Sequence, residues 1–224
     1  MLHVSTRGEA PALSFSDALL TGLARDGGLY LPQSWPKLSA AEIAGFAGKP
    51  YTAVAERVLG ALADGDIESG ALSDMIHQAY AGFRHPAVCP LTQIGDNLFV
   101  LELFHGPTLA FKDVAMQLLG RLMDHVLGQR GQRATIVGAT SGDTGGAAID
   151  AFKGLKSVDV FILYPQGRVS EVQRRQMTTV DADNVHAIAV EGTFDDCQNL
   201  VKAMFNHHAF RDEIGLSGVN SINW

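Results

Sequence analysis

The chain has 224 residues, a formal net charge of −7, 46% hydrophobic and 18% charged residues, enough for one or two ordinary folded domains. That charge argues against wrapping nucleic acid, which needs clustered Lys and Arg. No apolar run is long enough to span a bilayer and no signal peptide opens the chain, so the cytoplasm is the expected location and no membrane partner is expected.

Other exclusions follow from single residues. Cys89 and Cys197 give neither a disulfide framework nor a zinc spacing. His207 and His208 are adjacent rather than four apart, so they do not share a helix face as metal ligands would.

Residues 1–90 read as a mostly helical unit. Ser14-Phe15-Ser16-Asp17 offers caps for a helix through Leu19, Leu20 and Leu23, closed by Asp26-Gly27-Gly28. Leu29–Pro32 reads as a short extended piece. Ser39-Ala40-Ala41-Glu42 has capping-box spacing. Val54, Ala55, Val58, Leu59 and Leu62 make one helical stripe, and Leu72, Met75, Ile76, Ala79, Tyr80 and Phe83 another. Arg84–Pro90 is a linker, Gly95-Asp96-Asn97 a turn, and Leu98–Leu103 an apolar run suited to a buried strand.

The next stretch organises the rest. Leu103-Phe-His-Gly-Pro-Thr-Leu-Ala-Phe-Lys-Asp113 leads into a helix whose apolar residues Ala115, Leu118, Leu119, Leu122, Met123 and Val126 form one stripe. Lys112 falls on that stripe, and Asp113, Gln117, Arg121 and Asp124 fall on the opposite face. An inward lysine at a first helical turn has its ammonium form disfavoured by desolvation and by the helix dipole. Such an amine is a nucleophile suited to a carbonyl cofactor. A lysine there can equally lay its stem over apolar surface and keep its head in water.

Beyond residue 132 the pattern becomes strand then helix. Thr135–Ala139, Val158–Tyr164 and Val185–Val190 are the strands. The helices are Gly145–Phe152, Ser170–Met177 with Ser170 and Gln173 at capping-box spacing, and a segment through Leu200, Val201 and Met204 capped by Thr193 and Asp196. This alternation implies a parallel sheet with ligands beyond the carboxyl ends of its strands. Gly138-Ala-Thr-Ser-Gly-Asp-Thr-Gly-Gly146 lies at such an end. Its glycines permit close approach, and the following helix start favours an anion, phosphate or carboxylate. Gly, Ser, Asp and Thr also serve any strand–helix turn as plain turn and cap residues.

Together the Leu-Phe-His-Gly-Pro-Thr-Leu-Ala-Phe-Lys-Asp and Ala-Thr-Ser-Gly-Asp-Thr-Gly motifs resemble those of the threonine synthase family, pyridoxal-phosphate enzymes of fold type II. Gly22–Pro32 resembles that family's N-terminal domain, and Val219–Trp224 a further family segment. The resemblance implies an α/β chain: a helical N-terminal domain over 1–90, then over 91–224 an incomplete fold-type II catalytic domain with a parallel sheet and flanking helices. It also implies the conversion of O-phospho-L-homoserine and water to L-threonine and phosphate with pyridoxal 5'-phosphate as cofactor. Lys112 matches the lysine that carries the cofactor and moves protons. Thr140, Ser141, Gly142, Asp143 and Thr144 match the loop that takes the substrate carboxylate, and Asn220 and Ser221 match positions that help hold the substrate phosphate.

Asp143 stands where many relatives carry Asn, and is expected near the cofactor's phenolic oxygen, sharing a proton with it. No second phosphate cradle is visible in the 224 residues, so the chain is expected to be an N-terminal portion that is inactive alone. Two other readings fit the motifs: another fold-type II enzyme such as a dehydratase or cysteine synthase, and a non-catalytic anion-binding module.

Overall fold

The computed structural model describes residues 1–218. The chain divides between His105 and Gly106 into two compact units.

In the first unit, β1 (His3–Ser5) pairs antiparallel with β2 (Tyr30–Pro32), with His3 opposite Pro32. Helix α1 (Phe15–Thr21) starts where the Ser14 side chain accepts from the Asp17 amide, as its sequence suggests. It ends at Gly22, one turn before Asp26-Gly27-Gly28. Asp26 has other work: its carboxylate accepts from Ser5 Oγ and from the amides of Glu9, Ala10 and Gly28, tying the strand pair to the loops around it. Desolvation raises the Asp26 pKa, but those hydrogen bonds outweigh it and leave the carboxyl at about 2.

Helix α2 (Ala40–Gly45) carries the complete Ser39–Glu42 capping box. Helices α3 (Tyr51–Ala63) and α4 (Ser69–Tyr80) follow, and α3 ends at Asp64 in the left-handed region. Leu19, Ala63, Leu72, Met75 and Ile76 are buried. Tyr80 packs edge-on between Tyr51 and Phe83.

The hairpin β3 (Leu91–Gly95) and β4 (Leu98–Leu101) corrects the expectation of a buried strand. Among the described residues its strands pair only with each other, and every residue in them is exposed, Leu91 at 63% and Leu101 at 54%. A continuous apolar run normally marks a strand covered on both faces. Here every residue of the run from Leu98 to Leu101 stays at least 41% exposed.

The second unit has the strand–helix alternation read from its sequence. Helix α5 (Asp113–Arg130) precedes β5 (Ala134–Ala139), α6 (Asp143–Phe152), β6 (Val158–Pro165), α7 (Glu171–Thr178) and β7 (Val185–Val190). Then come α8 (Phe194–Asn206), α9 (His208–Glu213) and the two-residue β8 (Leu216–Ser217). The sheet is parallel in the order β7-β6-β5-β8, with Ala134 beside Val158, Val160 beside Val185 and Thr135 beside Leu216. Val158, Val160 and Ile162 of the central β6 are essentially inaccessible. The Thr193–Asp196 capping box opens α8 as expected. Strand β8 is too short to leave a period in sequence.

Asn184 is a buried polar residue that pattern reading passes over. It donates to the carbonyls of Phe152 and Val158 and accepts from Gly154 N–H, closing the junction between α6 and the sheet.

Candidate active site

Two segments of the second unit carry the candidate chemistry, and each is shaped by a buried polar side chain. The lysine segment turns at Gly106–Leu109, with Leu109 in the left-handed region at φ 65°. Asp113, fully buried, holds that turn: its carboxylate accepts from Thr108 N–H at 2.8 Å and from Thr108 Oγ1 at 2.6 Å. A Cβ at Gly106 would collide with the same carboxylate. Desolvation pushes the Asp113 pKa up, opposed by the Thr108 hydrogen bonds.

Lys112 is the cap residue of α5, and its carbonyl accepts from Met116 N–H. Its side chain is partly buried, and Nζ lies 4.3 Å from the centroid of the Phe111 ring. The assignment of Asp113 and Gln117 to a solvent face is corrected: both are buried. Helix α5 packs on α6 on that side, and Gln117 donates to Asp150 at 2.7 Å. Arg121 donates to the Gln117 carbonyl. Paired polar residues at an interface look like a solvated face in sequence.

The loop after β5 is built around Thr140. This residue is 1% exposed, its amide donates to the Leu163 carbonyl, and its Oγ1 accepts from both Gly142 and Gly145 N–H at 2.9 Å. Thr140 therefore shapes the loop from inside rather than presenting its hydroxyl to solvent. Ser141 and Asp143 are exposed and Thr144 is partly so. Asp143 and Thr144, as the first residues of α6, leave their amides outside the intrahelical ladder, which favours an anion there.

The loop glycines make room for a neighbouring helix as much as for any ligand. Gly142, at φ 144°, would drive a Cβ into the side-chain amide of Gln173. A Cβ at Gly145 would fall 2.6 Å from Met177 Sδ. Both of these neighbours lie on α7.

Helix α7 is also what brings the two motifs together. Gln173 Nε2 donates to Asp143 Oδ1 at 2.5 Å, and Gln176 Nε2 donates to the carbonyl of Thr108 at 3.4 Å. One helix face thus touches both the loop and the lysine segment. Of the capping box expected from Ser170 and Gln173, half forms. Ser170 Oγ accepts from Gln173 N–H and donates to Gln173 Oε1, which leaves the Gln173 amino group to reach Asp143. As site residues Gln173 and Gln176 carry no mark in sequence, because their partners lie 30 and 68 residues away. Asn220 and Ser221 lie outside the described residues.

Comparison with known proteins shows what the chain is similar to. A family model described as the threonine synthase N terminus matches residues 2–80. A threonine synthase of Pseudomonas aeruginosa is 55% identical over all of this chain, which covers 48% of that protein. The crystal structure of a threonine synthase from Brucella melitensis with bound pyridoxal phosphate superposes with a TM-score of 0.94 at 65% identity, again over all of this chain and 48% of that one. The yeast enzyme superposes with a TM-score of 0.91 at 43% identity, over all of this chain and 46% of that one.

The fold is thus of the class found in fold-type II pyridoxal-phosphate enzymes. The chain spans about half the length of the curated relatives it matches. Over its whole length it is similar to the N-terminal half of threonine synthases.

Proposed function

We propose that this chain supplies the lysine and the anion loop of a pyridoxal-phosphate-dependent threonine synthase, which converts O-phospho-L-homoserine and water to L-threonine and phosphate. The observation that supports the reading is the double attachment of α7, whose Gln173 reaches Asp143 in the loop and whose Gln176 reaches Thr108, four residues before Lys112. The residues present fit the cofactor: a primary amine on a half-buried lysine, beside the Phe111 ring, suits an aldehyde, and the start of α6 suits an anion.

Bound pyridoxal phosphate supplies an electron sink for carbanion chemistry. The chain's own residues do the rest. Lys112 Nζ would hold the cofactor's aldehyde carbon and would serve as the base that moves protons at the substrate's Cα, Cβ and Cγ. Ser141, Asp143 and Thr144 would present amides and hydroxyls to the substrate α-carboxylate, on a loop whose Gly142 amide is held by Thr140 Oγ1. Asp143 would face the cofactor's phenolic oxygen and share a proton with it. Asn220 and Ser221 contribute to the hold on the substrate phosphate.

Borohydride reduction of the chain mixed with pyridoxal phosphate, followed by peptide mass mapping, tests the central claim. A single pyridoxyl label at Lys112, lost in Lys112→Arg, is the expected result. Label spread over Lys37, Lys49, Lys153, Lys156 and Lys202 with none at Lys112 refutes it. Phosphate release from O-phospho-L-homoserine by a chain completed to the length of its relatives, measured against O-phosphoserine, then tests the substrate.

A further inference from the structure

The two glutamines of α7 stand one turn apart and each sits over part of α6. Gln173 covers Gly142, and Gln176 lies in van der Waals range of a Cβ built at Gly146. Between them Met177, 1% exposed, fills the space beside Gly145. The contact is therefore a fitted one, with glycine or small space under each α7 side chain that crosses it.

The hydrogen-bond polarity is also fixed. A side-chain amino group can only donate, so Gln173 Nε2 requires Asp143 Oδ1 to accept. The other end of Gln173 is equally fixed, because Oε1 takes the Ser170 hydroxyl proton. Ser170 in turn caps α7. The carboxylate of Asp143 is thereby aimed by a chain of bonds anchored in the first turn of another helix, while Gln176 anchors the same helix to the lysine segment.

We propose that α7 is a strap that couples the anion loop to the lysine segment, with Gln173 as the positioning residue for Asp143. Displacing α7 shifts both motifs together, so a ligand that orders the loop also orders the turn before Lys112. The role toward the cofactor rests on the reading above; the strap itself does not.

The test is a donor–acceptor exchange in the whole chain. Gln173→Glu keeps the length of the side chain and the preferred residue for a capping box with Ser170, so α7 stays formed. It removes the donor and sets two carboxylates against each other. Backbone amide exchange at Gly142 and Gly145, followed by NMR without cofactor, is expected to rise about tenfold, as loss of a hydrogen bond to a charged group implies. Asp143→Asn changes it by about threefold at most, because an amide oxygen still accepts from Gln173. The double variant Q173E/D143N is expected to return to near wild type, since the amide introduced on α6 now donates to the carboxylate introduced on α7.

Gln173→Ala serves if Q173E does not fold, with the same acceleration expected. Gln176→Ala is expected to speed exchange at Leu109 and Asp113, whose amides close the lysine-segment turn. Wild-type exchange in Q173E, or a double variant as fast as Q173E, overturns the strap. With pyridoxal phosphate added, Q173E is expected to change the ratio of the bound cofactor's absorbance bands at fixed pH. An unchanged ratio alongside faster exchange overturns the positioning role. If wild-type Lys112 takes no label, the cofactor reading fails, and the exchange pattern still decides the strap.

Discussion

Asp113 offers the sharpest test of how the lysine segment is held. It is fully buried, immediately follows Lys112, and accepts both the amide and the hydroxyl of Thr108. In Asp113→Ala both donors lose their acceptor. Two hydrogen bonds to a charged group are worth about 1.5–3 kcal/mol each, from which the relief of a desolvated charge must be subtracted. The expected net loss is about 2–4 kcal/mol. Asp113→Asn should behave differently. Its Oδ1 accepts from Thr108 N–H, its amino group faces Thr108 Oγ1, which can accept, and no charge remains to desolvate. Its expected cost at pH 7 is below about 1 kcal/mol.

The pH dependence has a definite sign. Folding raises the Asp113 pKa. The stability tied to its neutral form is therefore complete below the unfolded value, about 4, and is lost as pH rises from there through the raised folded value. Asp113→Asn should gain on wild type across that window. Urea unfolding followed by circular dichroism at pH 4.5 and 7 measures all of this. The reasoning is refuted if Asp113→Ala unfolds within about 0.5 kcal/mol of wild type, or if Asn costs as much as Ala. Label uptake at Lys112 should fall in the Ala variant and survive in the Asn variant.

Gly120 of α5 would place a Cβ 2.6 Å from the carbonyl oxygen of Ala151. Gly120→Ala should gain about 1 kcal/mol of helix propensity and lose about 1–3 kcal/mol by forcing α5 from α6, so thermal unfolding should show a net loss. Asn184→Ala removes three buried or half-buried hydrogen bonds, to the Phe152 and Val158 carbonyls and from the Gly154 amide, and should cost about 2–4 kcal/mol in the same assay. Asp26, held at about 2, contributes stability that is complete above its unfolded pKa and is lost as pH falls through the folded value. Asp26→Asn should therefore flatten the loss of stability of the first unit between about pH 4 and pH 2, read by acid titration of its circular dichroism.

What the sequence made legible was local. Ser14, Ser39 with Glu42, and Thr193 with Asp196 cap their helices through partners three residues on, so the pattern and the bond are the same thing. The strands β5, β6 and β7 were legible from short apolar runs and the stops between them. Bonds that form only once the chain has turned back on itself were not. Asp113 and Gln117 look outward in sequence because their polar partners come from Thr108 and from α6. Thr140 looks like a ligand donor because its glycine partners, two and five residues away, become its partners only once the loop has turned back. The glycines of 142–146 suggest a ligand, and α7 uses the same freedom. Lys112 and the loop are each visible alone, but nothing local says that one helix touches both.

The exposed ribbon of β3 and β4 has a consequence for anyone handling the chain. Two strands make two edges and no interior, so each offers a row of backbone groups to any passing strand. The usual guards are thin: between Leu91 and Leu101 the only charge is Asp96 at the tip, and the nearest proline, Pro90, stands just outside. Leu91, Ile94, Leu98, Phe99, Val100 and Leu101 all face water. At high concentration the purified chain should therefore self-associate through this ribbon and be rescued by mild detergent. A charge placed at Ile94 or Val100 should improve its solubility without touching the parallel sheet.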